Sequence, residues 1–124
     1  PYVQTSITFE HFFVRKVMLI KYSYAFIIMP GGFGTTDEFF ETVTLTQTKI
    51  LTQFPIVLFG KEYYQELWHW LESMASRGTI SEKDLSLVLL TDDQAEAMDH
   101  IRSFLMSNYQ VKPRRRLWWL MEKR

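Results

Sequence analysis

Three short apolar runs constrain the fold of this 124-residue chain more than any other feature: Ala25–Met29, Ile56–Gly60 and Leu87–Leu90. The first lies between Tyr24 and Pro30 and reads as a strand buried on both faces of a parallel sheet. The second reads as another buried strand and the third as a shorter one. Each run is followed by a segment with helical spacing. Thr35–Thr48 carries Phe39, Phe40, Val43 and Leu45, with several threonines that weaken helix propensity and leave packing to supply the stability. Tyr63–Ala75 places Tyr64, Leu67, Trp68, Leu71 and Met74 along one side and stops at Arg77-Gly78. Gln94–Met106 follows Asp92 and Asp93, either of which suits an N-cap. Strand and helix alternating three times predict an α/β domain, a parallel sheet covered by helices with right-handed crossovers.

Two smaller segments complete the pattern. Residues 1–6 read as a loop or arm. Thr8–Tyr22 fits an amphipathic helix, while its aromatic and β-branched content leaves a strand open. Within it, Arg15 and Lys16 either snorkel from a buried helix or point at an anionic site. Ser81–Asp84 predicts one turn of helix capped by Ser81.

The length suits one domain and is too short for two. The residues are 47% hydrophobic and 16% aromatic, which suggests apolar surface buried against a partner chain. Formal net charge is zero, arguing against a nucleic-acid partner. Six of the fourteen Lys and Arg residues and one of the fourteen Asp and Glu lie in 112–124, leaving the rest at about −5. That basic, Trp-rich tail, residues 111–124, reads as a segment docking its Trp pair on this domain or on a neighbouring subunit. The domain proper is residues 1–110. No cysteine is present, which excludes disulfides and thiolate chemistry and fits a reducing, cytoplasmic setting. No apolar run approaches the length of a membrane span. Pro1 in place of Met, with no signal-peptide pattern, points to a processed or truncated product.

The chemistry concentrates in Pro30-Gly31-Gly32-Phe33-Gly34-Thr35-Thr36-Asp37-Glu38. A strand ending in Pro-Gly-Gly and feeding a helix exposes unpaired amides at the positive end of a helix dipole, an anion site. Glycine lets backbone approach a ligand closely and adopt positive φ. No Gly-Lys-Ser/Thr follows, so this is not a Walker loop, and Asp37 replaces the third glycine of G-x-G-x-x-G. A plain turn would not need three glycines followed by Thr-Thr-Asp-Glu. Glu38 sits one turn into the helix; Glu41, a turn further on, reads as solvated. His11, His69 and His100 lack ligand spacing, so no metal is expected, and no G-x-S-x-G elbow supports serine hydrolase chemistry.

Phe12-Phe13-Val14-Arg15-Lys16-Val17-Met18 together with Pro30–Glu38 resembles the Lonely Guy family of nucleotide phosphoribohydrolases, over about residues 7–105. Members are often labelled lysine decarboxylases, but no pyridoxal-phosphate lysine motif is present here. The resemblance implies a Rossmann-like, three-layer fold that lacks the family's N-terminal βαβ part. It implies hydrolysis of the N-glycosidic bond of a purine nucleoside 5′-monophosphate, AMP or a cytokinin type, to free base and ribose 5-phosphate. No cofactor is implied, and a homodimer or larger homo-oligomer is. The family's catalytic Arg and Glu fall on Arg15 and Glu38, and Lys16 matches the accompanying Lys. Gly31, Gly32, Gly34 and Thr35 match the phosphate-binding loop. The alternatives are a non-catalytic nucleotide or phosphoribosyl carrier on the same fold, and an interaction module driven by the tail.

Overall fold

The computed structural model describes residues 6–51 and 54–108. The proposed tail at 111–124 lies outside these residues. In chain order the elements are α1 (Phe12–Lys21), β1 (Phe26–Ile28), α2 (Phe33–Gln47), β2 (Ile56–Phe59), α3 (Lys61–Ser76), α4 (Glu82–Leu85), β3 (Val88–Thr91) and α5 (Gln94–Asn108). The strands form one parallel sheet in the order β1-β2-β3. Phe26, Ile56 and Val88 lie in register, as do Ile28, Leu58 and Leu90. This is an α/β fold of Rossmann-like, three-layer form.

Side-chain alternation along the strands assigns the layers. Ile28, Ile56, Leu58 and Val88 pack with Phe39, Tyr64 and Leu71, so α2, α3 and α4 cover one face. Val57 packs with Ala97 and Ile101, so α5 covers the other. Ile56, Val57 and Leu58 are fully buried, as expected for a central parallel strand. Each contributes about 1.5–3 kcal/mol of transfer free energy.

β1 departs from the expectation of burial on both faces. Ile28 is buried, but Ile27 is 47% exposed and Met29 is also open. β1 is one edge of the sheet, and the core beneath α5 is built on Val57 of β2, with Leu89 of β3 beside it. The first helix forms, yet Phe12, Phe13, Val17 and Leu19 are exposed and only Ile20 is buried.

The threonine-rich α2 buries two of its threonines by turning their hydroxyls back on the helix. Thr42 donates to the Glu38 carbonyl at 2.7 Å and Thr46 to that of Thr42 at 2.8 Å, so both enter the core with their polar atoms satisfied. The start of α3 uses a glycine for its backbone. Gly60 has φ +116°, and a Cβ there would stand 3.1 Å from the Pro30 ring. Pro30 and Gly60 thus bring the ends of β1 and β2 together.

Candidate active site

The loop after β1 delivers the start of α2 at the carboxyl edge of the sheet, the usual ligand position in an open α/β fold. Gly32 is the N-cap, with φ −90° and no side-chain cap. The carbonyl of Gly32 accepts from the amides of Thr35 and Thr36 at 3.0 and 3.1 Å. The amides of Gly32, Phe33 and Gly34 have no partner among the described residues. None of Gly31, Gly32 and Gly34 adopts positive φ, contrary to the conformational role considered for them. Their smallness matters instead. A Cβ on Gly31 would overlap the Thr35 hydroxyl and come within 2.8 Å of Thr35 Cβ. A Cβ on Gly32 or Gly34 would meet nothing within 4 Å, so the loop presents open backbone. Thr36 is spent locally, donating to the Gly32 carbonyl at 3.0 Å.

A cleft of about 430 Å³ opens beside this helix start, lined by Arg15, Leu19, Phe26–Pro30, Gly34, Thr35 and Glu38. Gly34 and Thr35 lie four and three residues before Glu38, one turn of α2 away on its side of the helix. Arg15 comes from α1, stacked over the Phe12 ring at 5.0 Å. The two residues that sequence reasoning made catalytic therefore meet in one cleft, with two of the loop residues. Gly31 and Gly32 lie just ahead of it in the loop.

Lys16 is placed differently. One residue on from Arg15, it points along another direction of α1 and lies between Asp37 Oδ2 at 2.7 Å and Glu41 Oε2 at 2.8 Å. Its side chain is only 16% exposed. These two carboxylates, one helical turn apart, clasp the ammonium and tie α1 to α2. They hold Lys16 protonated well above the ordinary lysine range. Glu41 is thus an ion-pair partner and not a solvated carboxylate.

Glu38 has both carboxylate oxygens shielded from solvent and no hydrogen-bond partner for either. Burial pushes its carboxyl up from the usual range. Lys16 is the strongest opposing influence, Glu41 and Asp37 add to the upward push, and Arg15 draws it down. An unsatisfied buried carboxylate costs stability, and one that lines a cleft is a candidate functional group.

Two residues that sequence reasoning did not place in the site hold the loop from behind. Tyr63 Oη donates to the Gly31 carbonyl at 2.6 Å, and Tyr64 Oη to the Met29 carbonyl at 2.7 Å. Tyr64 is also a core residue, as its spacing predicts, whereas Tyr63 carries no periodic signal. The adjacent Tyr-Tyr pair at the head of α3 was the available clue. Among the described residues no group of three or more His, Asp or Glu side chains is arranged to hold a metal ion. No described helix is long and apolar enough to cross a membrane.

A family model described as possible lysine decarboxylase matches residues 1–101. The chain is similar to a cytokinin riboside 5'-monophosphate phosphoribohydrolase of Rhodococcoides fascians, at 35% identity over 89 residues, 72% of this chain and 45% of that protein. It is similar to another of that name from Arabidopsis thaliana, at 28% identity over 110 residues, 88% of this chain and 50% of that protein. The chain spans about half the length of the curated relatives it matches.

Proposed function

The chain belongs to the Lonely Guy family, whose family model is described as possible lysine decarboxylase, and on that premise we propose that it hydrolyses the N-glycosidic bond of a purine nucleoside 5′-monophosphate. The products are the free base, adenine or an N6-substituted relative, and ribose 5-phosphate. The observation that carries this reading is Glu38. Its two shielded, unpartnered oxygens lie in one cleft with Arg15, one turn from a helix start whose amides are free.

Each residue has a physical role in the reading. The amides of Gly32, Phe33 and Gly34 and the Thr35 hydroxyl receive the 5′-phosphate, with the α2 dipole favouring its charge. Arg15 offers a rigid fork of donors to the phosphate or to the departing base. The C1′–N bond breaks, its electron pair leaves with the base, and the sugar gains oxocarbenium character. Water oxygen bonds to C1′; Glu38 takes a proton from that water and the base nitrogen takes one up. A carboxyl raised by burial is a better proton acceptor near neutral pH than an ordinary one. Lys16 supports the site through Asp37 and Glu41, which neighbour Glu38.

Decarboxylation through a pyridoxal phosphate Schiff base does not suit these residues. Such chemistry needs a lysine amine that is readily deprotonated. The lysine nearest the cleft, Lys16, is held as an ammonium by two carboxylates.

We also place the working form as a homodimer or larger assembly, supported by the exposed Phe12, Phe13 and Val17 on α1. The test is chromatographic detection of free base from a nucleoside monophosphate panel, with Glu38→Gln and Arg15→Ala alongside. Base release that is lost in both variants while they remain folded is the expected result. Saturable nucleotide binding without base release by the unaltered protein would instead identify a carrier.

A further inference from the structure

The tyrosine pair behind the loop extends this reading to residues outside the cleft. Tyr63 and Tyr64 are neighbours in the first turn of α3, their rings edge to face at 4.9 Å. Both hydroxyls donate to carbonyls of the Met29–Gly31 segment, at 2.7 and 2.6 Å, yet the two acceptors are not equivalent. In a trans peptide the C=O and the following N–H point in opposite directions, and no peptide among the described residues is cis. Holding the Gly31 carbonyl against Tyr63 therefore turns the Gly32 N–H away from the Tyr63 hydroxyl. Holding the Met29 carbonyl against Tyr64 turns no donor, because the next residue is Pro30 and has no N–H.

The surroundings make this constraint consequential. The peptide joins two glycines, and a Cβ on Gly32 would meet nothing, so no side chain of its own sets that peptide's orientation. Gly32 also carries the α2 N-cap, so a rotation of its peptide displaces the first free amide of the anion site. A hydroxyl donating to the carbonyl further polarises the same peptide and strengthens its N–H as a donor.

We propose that Tyr63 is a positioning residue for the substrate phosphate, aiming the Gly32 amide through its hydrogen bond to the Gly31 carbonyl, whereas Tyr64 serves the fold alone. This rests on the proposed seating of the 5′-phosphate at the start of α2. Tyr63 bonds the loop and does not line the cleft.

The test is titration of the protein with AMP and with adenosine, in the unaltered form and in Tyr63→Phe and Tyr64→Phe. Tyr63→Phe is expected to weaken AMP binding roughly three- to tenfold, the range for one neutral hydrogen bond, while leaving adenosine binding unchanged. Tyr64→Phe is expected to lower the thermal midpoint while keeping the ratio of AMP to adenosine affinity. Because that ratio is internal to each variant, partial unfolding lowers both affinities together and does not imitate the effect. An unchanged ratio in Tyr63→Phe overturns the proposal while leaving the phosphate site standing. An equal AMP-selective loss in Tyr64→Phe also overturns it, since no amide follows the Met29 carbonyl. Failure of the unaltered protein to prefer AMP over adenosine overturns the phosphate seating and the Tyr63 role together.

Discussion

Helices α2 and α5 both follow a strand of the same parallel sheet and start at the same edge, but their starts are built from opposite chemistry. At α5 side chains cap the start from within the chain. Asp93 Oδ1 accepts the Ala95 amide at 2.8 Å, and the Asp93 amide donates to Thr91 Oγ1 at 3.0 Å. Thr91 in turn donates to Glu96. Asp92 reaches across to cap α3 through the Lys61 amide at 2.7 Å, and α4 carries a full capping box of Ser81 and Asp84. At α2 the cap position is Gly32, the first amides are free, and the nearest carboxylate, Glu38, has neither oxygen bonded. The starts of α3, α4 and α5 thus carry side-chain caps, whereas that of α2 carries none.

The largest test of this contrast is at Glu38. Glu38→Gln is expected to lower base release from AMP by at least about 100-fold, the scale of losing a positioned acid–base group. Its stability should move the other way. With the native carboxyl raised by burial, Glu38 favours folding below its unfolded pKa of about 4.3, and that benefit is lost as pH rises through the native value. The thermal midpoint of Glu38→Gln should therefore gain on that of the unaltered protein between pH 4 and pH 8. A gap that shrinks with pH contradicts the burial assigned to Glu38.

Next in size is Gly32→Asp, which gives α2 the kind of start that α5 has. The open space at Gly32 and its φ of −90° admit the side chain. Nucleotide affinity is expected to fall on the order of 100-fold, because the new carboxylate occupies the amides and repels phosphate. Thermal stability should hold or rise slightly. Titration and a melting curve read both halves, and retained affinity would place the phosphate elsewhere.

A smaller shift is expected from Lys16→Met. Removing the ammonium takes away the main influence drawing the Glu38 carboxyl down, so it rises further. The acid limb of the rate profile should move to higher pH, while Arg15→Ala lowers the rate with less displacement. The smallest effect is at the contrasting helix. Asp93→Ala should cost about 1 kcal/mol, a few degrees in midpoint, and leave nucleotide affinity unchanged.

The elements were legible in the sequence because each rests on neighbours along the chain. Three unbroken apolar runs marked the strands, and helical spacing with Ser81 and Asp93 marked the helices between them. The exposure of Ile27 departs from the expected burial because apolar composition does not reveal which face of a strand another element covers. Glu41 was misread for a similar reason. Its partner lies 25 positions earlier, and only the packing of α1 beside α2 brings Lys16 to it.

For the site, the sequence by itself determined the loop and its open amides, since Pro-Gly-Gly-x-Gly before a helix leaves no side chain to cap it. It also carried the pairing of Arg15 with Glu38, through resemblance and not through spacing. Tertiary structure alone decided that Glu38 is shielded and unpartnered, that Lys16 holds two helices together, and that Tyr63 grips the Gly31 carbonyl from 32 residues away. Sequence periodicity reports on bonds within an element, whereas desolvation and contacts between elements exist only once the sheet has brought those elements together.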